Sequence, residues 1–275
     1  MRAVQVVGCQ RELTPGRRRR DSPWPIAARS LYGGSMYLEN LVFDAVDPQR
    51  LGRFWEAVVG AERLVDEPDA FETRLAVEKG PVLDLCFQRV PEPPVDRPRL
   101  HLDLSSEAGQ AAEVDRLLGL GARRLDIGQG DVPWVVLADP EGNPCCVLEE
   151  RAAYAGSGPI AALPLDSSDP ERDANFWSWL TGWTDVAGVA PRSLRHPSRR
   201  GPLLELCPEP AAKGPAKNRL HLDLRLEGAD DADDVAASIA QRGGRELHHP
   251  EWGELPWRFY ADPSGNDFCV LPARP

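Results

Sequence analysis

The stretch Arg99-Leu-His-Leu-Asp-Leu104 returns later in the chain as Arg219-Leu-His-Leu-Asp-Leu224. With a period of two, Leu100, Leu102 and Leu104 share one face while Arg99, His101 and Asp103 share the other, the pattern of a strand covered by helices on one side only. The polar face must then look onto solvent or into a pocket. The same division holds for Leu220, Leu222 and Leu224 against His221 and Asp223.

Around each copy the same programme runs. Asp47-Pro48 is a helix start, a capping carboxylate with proline at the first helical position, and it recurs as Asp169-Pro170. Leu51, Phe54, Trp55, Val58 and Val59 fall on one apolar helix face that Gly60 ends, and Phe54-Trp55 recurs as Phe176-Trp177. Trp134 recurs as Trp257, and Ala138-Asp-Pro-Glu-Gly-Asn143 as Ala261-Asp-Pro-Ser-Gly-Asn266. Such uniform offsets indicate a tandem duplication, each half holding two βαβββ modules. The expected fold is α+β: two tandem domains, each forming a curved mixed sheet with helices on its outer face. The boundaries are residues 36–152 for the first domain, 153–158 for a Gly- and Ala-rich linker, and 159–275 for the second.

Residues 1–35 carry Arg17-Arg-Arg-Arg20 with no sustained periodicity, and are expected to be a disordered leader or an artefact of start-site choice with Met36 as the true first residue. Seven arginines against Glu12 and Asp21 put this segment at +5, leaving -16 for the remainder of a 275-residue chain of net charge -11. That balance argues against nucleic acid as a partner. No apolar run approaches the length needed to span a bilayer, which argues against a membrane partner. Six cysteines without a secretory segment read as reduced thiols of a cytoplasmic protein.

In Pro81 to Gln88, Val82, Asp84, Cys86 and Gln88 share the face opposite Leu83, Leu85 and Phe87. Glu205 and Cys207 likewise oppose Leu204 and Leu206. A carboxylate with a thiol two residues on thus faces one side in both halves, the side expected to carry His101 and His221. Carboxylate, imidazole and thiolate are ligand types that zinc accepts. The alternative is that acid and imidazole pair by hydrogen bonds while the cysteines act as small buried hydrophobes. Asp139 and Asp262 have the structural role of Asp in a hairpin turn. Asp103 and Asp223, on the histidine's own strand face, can orient the imidazole or help solvate the pocket. Trp134 and Trp257 stand where an aromatic either walls a pocket for an apolar ligand or packs in the core. His248-His249 occurs in one half only and reads as a solvated loop.

Two βαβββ modules per half, the His-Leu-Asp-Leu strand and the Asp-Pro-x-Gly-Asn turn together resemble the vicinal oxygen chelate superfamily, in its glyoxalase-like, bleomycin-resistance and dioxygenase types, here in tandem. The resemblance covers residues 36 to 275. It implies cup-shaped sheets whose metal ligands, where a metal is bound, fall at four positions: Asn40, Asp84, His101 and Cys146 in the first half, and Ala162, Glu205, His221 and Cys269 in the second. Neither set matches the glyoxalase or dioxygenase ligands, so the cups are expected to hold no cofactor, the alternative being zinc, nickel or iron on Asp84, His101 and Cys146 and on Glu205, His221 and Cys269.

The resemblance implies a lyase or isomerase acting on a small oxygenated molecule, with His101, Asp84, His221 and Glu205 as the catalytic set. Asp103, Asp223, Trp134, Trp257, Cys86 and Cys207 would contact the substrate. The alternatives are a non-catalytic binder of the antibiotic-sequestering type and a degenerate interaction scaffold. The chain is expected to be a monomer with its domains paired intramolecularly, or a homodimer.

Overall fold

The computed structural model describes residues 36–92, 97–249 and 252–274; the leader expected over 1–35 lies outside them. Four modules follow one another. The first comprises β1 (Met36–Ala45), α1 (Pro48–Val59), β2 (Glu62–Glu67), β3 (Ala70–Ala76) and β4 (Val82–Arg89). The second comprises β5 (Leu102–Leu104), α2 (Gln110–Leu120), β6 (Arg123–Arg124), β7 (Trp134–Ala138) and β8 (Pro144–Leu148). The third comprises β9 (Ile160–Ser167), α3 (Pro170–Thr181), β10 (Thr184–Val186), β11 (Arg192–Arg195) and β12 (Leu203–Pro208). The fourth comprises β13 (Leu220–Leu226), α4 (Ala232–Gln241), β14 (Arg245–Leu247), β15 (Arg258–Ala261) and β16 (Asp267–Leu271).

The modules form two mixed eight-stranded sheets, ordered β14-β15-β16-β13-β1-β4-β3-β2 and β10-β11-β12-β9-β5-β8-β7-β6. Each sheet therefore draws one module from each half of the sequence: the first module joins the fourth, and the second joins the third. The seams are antiparallel pairings of inner strands, β1 with β13 and β5 with β9, while β1–β4, β5–β8, β9–β12 and β13–β16 are parallel. The two halves are thus tied together within one chain by main-chain hydrogen bonds.

The helices begin and end for local reasons. Asp47 accepts from the Arg50 N–H and Asp169 from the Arg172 N–H, each beside a proline in the first turn, and Gly60 and Gly182 close the two helices at φ 65° and 69°, where a side chain would be strained. One continuous hydrophobic core joins the helix-bearing faces of both sheets. It includes Leu41 and Phe43, Leu83, Leu85 and Phe87, Leu100, Leu102 and Leu104, Leu163 and Leu165, and Leu222 and Leu224. The alternation of leucines thus sorts every inner strand: leucines go to the core, and His101, Asp103, His221 and Asp223 to the opposite face.

Two indole hydrogen bonds knit the modules across the core. Trp55 Nε1 donates to Asp139 Oδ2 at 3.1 Å, and Trp177 Nε1 to Asp262 Oδ2 at 3.0 Å. Each aspartate also accepts from its own turn: Asp139 from the Glu141 and Asn143 N–H groups and the Asn143 side chain, Asp262 from Ser264 and Asn266 in the same way. Both carboxylates are fully engaged as turn acceptors, and the Phe-Trp pairs are core. Among the described residues no helix is long and apolar enough to cross a membrane.

Candidate functional site

The face opposite the core carries the candidate residues, and the pairing of modules decides which of them meet. Asp84 lies in the sheet of His221 and Cys269, whereas Glu205 lies in the sheet of His101 and Cys146. The groupings by sequence half, Asp84 with His101 and Glu205 with His221, do not assemble, because neighbouring modules of one half sit in different sheets.

Register sharpens this. In the first sheet Asn40 is opposite both Asp84 and Asp223, and Asp223 is opposite Cys269, so these four form one row across the strands. The matching row of the second sheet is Leu203, Ala162, Asp103 and Cys146. Leu203 thus stands where Asp84 stands. Glu205 is opposite Pro164, whose carbonyl also accepts from the His101 N–H at 3.2 Å, placing Glu205 and His101 on either side of β9.

The cup of the first sheet is filled. Arg74 clasps Asp84 with two hydrogen bonds of 2.8 and 2.6 Å, Arg225 and Arg274 both bond Glu39, and Asn40 Nδ2 donates to Asp223 Oδ2 at 3.1 Å. Cys86 is buried in the row of Val42 and His221. His221, 3% exposed, meets the edge of Phe259 and lies 3.5 Å from Asp223 Oδ1. Burial, with the Lys217 charge, drives the His221 pKa well below the ordinary imidazole value, and burial pushes Asp223 up to about 6. Burial and the neighbouring Asp223 raise the Cys269 thiol. Over this floor Trp257 is half-buried against Phe259, Cys269 and Leu271. His249 stacks on Trp252 with ring centroids 3.9 Å apart, so only His248 of that pair is exposed.

The cup of the second sheet is more open. His101 keeps 31% of its side chain exposed and lies 3.3 Å through Nε2 from Asp103 Oδ1. Glu205 Oε1 accepts from the Tyr154 hydroxyl at 3.3 Å and the Val189 N–H at 3.4 Å. Burial raises the Glu205 carboxyl above its ordinary range, with Asp103 adding to the effect. The thiols of Cys146 and Cys207 are raised too, Cys207 to about 12, mainly by burial. Beside these groups lies a buried apolar cluster, Val136, Leu148, Ala161, Ala162 and Leu203, with Trp134 packed partly buried against it. Tyr154 escaped sequence reasoning because it sits in the expected linker. That segment forms a short 3-10 turn, Ala152–Tyr154, and buries the one aromatic among small residues.

Among the described residues two groups could hold a metal ion: His101, Asp103 and Cys146, and His221, Asp223 and Cys269, the candidate donor atoms of each group lying within 4.8 Å of one another. Tetrahedral zinc spaces its donors by roughly 3.5 Å, within reach of small side-chain adjustments. Buried Asp103 Oδ1, Asp223 Oδ1 and His221 Nδ1 have no hydrogen-bond partner. The donor types and these unpartnered atoms fit a zinc-type ion, with Asp103 and Asp223 taking the place expected for Asp84 and Glu205.

With this geometry in hand, comparison with known proteins is informative. The model of the glyoxalase-like domain matches residues 40–148 and again 162–271. Glyoxalase I from Zea mays shares 15% identity and a TM-score of 0.60 over 86% of this chain and 92% of its own. A provisionally assigned dioxygenase from Bacillus subtilis shares 16% identity and a TM-score of 0.57 over 88% of this chain and 86% of its own. At such identities these likenesses speak to the fold alone. A search of curated proteins finds no match.

Proposed function

Since the chain belongs to the glyoxalase-like domain family, with a match in each half and the vicinal oxygen chelate fold throughout, we propose that it acts by acid–base chemistry on a small oxygenated molecule, as a glyoxalase-like lyase or isomerase, in the cup shared by the second and third modules. The observation that carries this reading is the placing of Glu205 and His101 on either side of β9 in the more open of the two cups.

The two groups suit opposite tasks. A carboxyl raised by burial keeps its proton where an ordinary one has lost it, so Glu205 serves as the donor to a substrate oxygen. Tyr154 and the Val189 N–H fix the other face of that carboxyl. His101 serves as the base that takes a proton from carbon. Asp103, its Oδ1 3.3 Å from the ring's Nε2, holds the imidazole in place. Trp134, partly exposed over the buried apolar cluster, suits a hydrocarbon or aromatic body behind the reacting oxygen. His101, Asp103 and Cys146 would alternatively hold a divalent ion; the imidazole would then be a ligand and not the base, and the ion would supply polarisation of a substrate oxygen. Cysteines held as unbridged, protonated thiols accord with a cytoplasmic setting.

The same partly exposed Trp134 favours a second reading, a small-molecule binder that performs no turnover. Proton exchange separates the two. Small α-hydroxycarbonyl compounds and aryl ketones are incubated with the protein in deuterated buffer and their α-protons followed by NMR. Enzyme-dependent exchange, lost in Glu205→Gln and in His101→Gln, is expected; quenching of Trp fluorescence without exchange points instead to binding alone.

A further inference from the structure

The repeated Leu-His-Leu-Asp-Leu strand is preceded in both halves by a cation, one intervening residue and an arginine: Arg97-Pro-Arg99 and Lys217-Asn-Arg219. The leading cations are paired. Arg97 bonds Asp166 and Glu209, and Lys217 bonds Asp44. The arginines that follow are different. Among the described residues neither Arg99 nor Arg219 has a carboxylate at ion-pair distance, although Arg99 is only 7% exposed.

Arg99 rests on neutral oxygens: Asn266 Oδ1 at 2.7 Å, the Ala211 carbonyl at 3.2 Å and the Asp166 carbonyl at 3.4 Å. By the repeat, the seat matching Asn266 for Arg219 is Asn143. That contact is open. Among the described residues Arg219 Nε and Asn143 Oδ1 are both buried without a partner, and Arg219 bonds the Glu141 carbonyl alone, through Nη2 at 3.4 Å. Asn218 Nδ2, beside it, is also buried without a partner.

The two leaders meet at one cavity of about 250 Å³. Arg97, Arg99, Lys217 and Arg219 line it, together with Lys213 and a single carboxylate, Glu209. Of these five cations Lys217 is paired with Asp44, Lys213 with Asp267, and Arg97 with Asp166 and Glu209, so that among the described residues Arg99 and Arg219 are the two that bring charge to the cavity without a carboxylate partner. A guanidinium withdrawn from water with no opposing charge is costly, and its planar fork matches the oxygens of phosphate or carboxylate.

We propose that this cavity, where the duplicated leaders converge, binds a small oxyanion of two or more negative charges, a phosphoryl or polycarboxylate group, held by Arg219, Arg99 and the side-chain amide of Asn218. None of its lining residues belongs to the second-sheet cup, so this site stands or falls apart from the acid–base reading. The volume admits such a group without a large organic body.

Calorimetry and thermal melts of the full chain in phosphate-free buffer, with pyrophosphate and with citrate as probes, test it. Saturable binding of one anion per chain that weakens as salt is raised is expected, and which probe binds more tightly tells a phosphoryl from a carboxylate ligand. Arg219→Gln should lower the affinity at least tenfold while leaving the circular dichroism spectrum unchanged. Lys213→Gln, whose ammonium is already paired with Asp267, should weaken binding by a smaller factor. Arg53→Gln, an exposed arginine paired with Asp66 on α1, should not alter it. Absence of saturable binding with both probes, or affinity undiminished in Arg219→Gln, overturns the proposal.

Discussion

Replacing Asp262 by alanine should cost this chain a large part of its stability. Asp262 is 2% exposed and accepts four hydrogen bonds: from the Ser264 N–H at 2.9 Å, the Asn266 N–H at 2.8 Å, Asn266 Nδ2 at 2.9 Å and Trp177 Nε1 at 3.0 Å. Alanine removes all four acceptor contacts. The indole and the Asn266 groups lie where water does not replace them, and each orphaned buried donor costs about 1–3 kcal/mol. With partial relaxation the loss is roughly 3–5 kcal/mol, near the upper end for one substitution. For a chain of this length that lowers the melting temperature by on the order of 10 °C. Asp262→Asn separates geometry from volume, since its new amide points a donor at Trp177 Nε1 and Asn266 Nδ2 and so recovers little. Trp177→Phe should cost about 1 kcal/mol for the lost hydrogen bond, the carboxylate keeping its other three donors, and roughly 1–2 kcal/mol more for the space the larger indole leaves in the core. In a double-mutant cycle the pair should couple by about 1 kcal/mol. Urea titrations followed by circular dichroism measure all four proteins. A stability of Asp262→Ala within about 1 kcal/mol of the parent, or no coupling to Trp177, would refute the argument that this carboxylate ties the helix to the turn.

Gly52 on α1 should not tolerate alanine: a Cβ there would lie 2.1 Å from Phe71 Cδ1, and the clash, about 1–3 kcal/mol, outweighs the roughly 1 kcal/mol that alanine gains in a helix. A thermal melt of Gly52→Ala at or above the parent's would contradict this. Glu205 should give stability a dependence on pH. Its folded carboxyl is raised above the ordinary value by burial, so the folded state binds the proton more tightly than the unfolded chain does. The stabilisation is complete below the ordinary carboxyl value and is lost as the pH rises through the raised one. Denaturant titrations from about pH 4 to about pH 8 should show a smaller decline in Glu205→Gln than in the parent, and parallel curves would rule the effect out.

What the sequence disclosed was everything whose cause is local. Alternating leucines identified the core face of β5 and β13, the Asp-Pro pairs located two helix starts, and the Asp-Pro-x-Gly-Asn turns were readable as structural acceptors. The partnership of modules was not readable, because either pairing sets a Leu-His-Leu-Asp-Leu strand, β5 or β13, against β1 or β9. Arg97 with Asp166 and Lys217 with Asp44 repeat one ion pair across both seams. A pairing within each half would bring together residues of the same chemistry, so pattern alone cannot choose. The tie from Tyr154 to Glu205 was hidden for a related reason: a tyrosine among alanines and glycines has no periodicity to announce which sheet it will cover.

The divergence of the two cups follows from a few register positions. Where the first sheet has Asp84 and Asn40, the second has Leu203 and Ala162, as the shared pairings with Asp223 and Asp103 establish. Asp84 demands a cation, which Arg74 supplies. Arg195, occupying the matching place opposite Leu203, has no carboxylate there and turns to the Gly201 and Ala155 carbonyls and the Ser157 hydroxyl instead, fastening the linker that carries Tyr154. The apolar residue at β12's first position therefore has two consequences. The row beside Asp103 is lined by small and apolar side chains, and Arg195 is free to hold Tyr154's segment against the sheet, where the tyrosine hydroxyl reaches Glu205. Identical strands, Leu-His-Leu-Asp-Leu in both halves, thus end in a sealed polar cluster on one side and a half-open cup on the other, because the difference lies in the strands next to them.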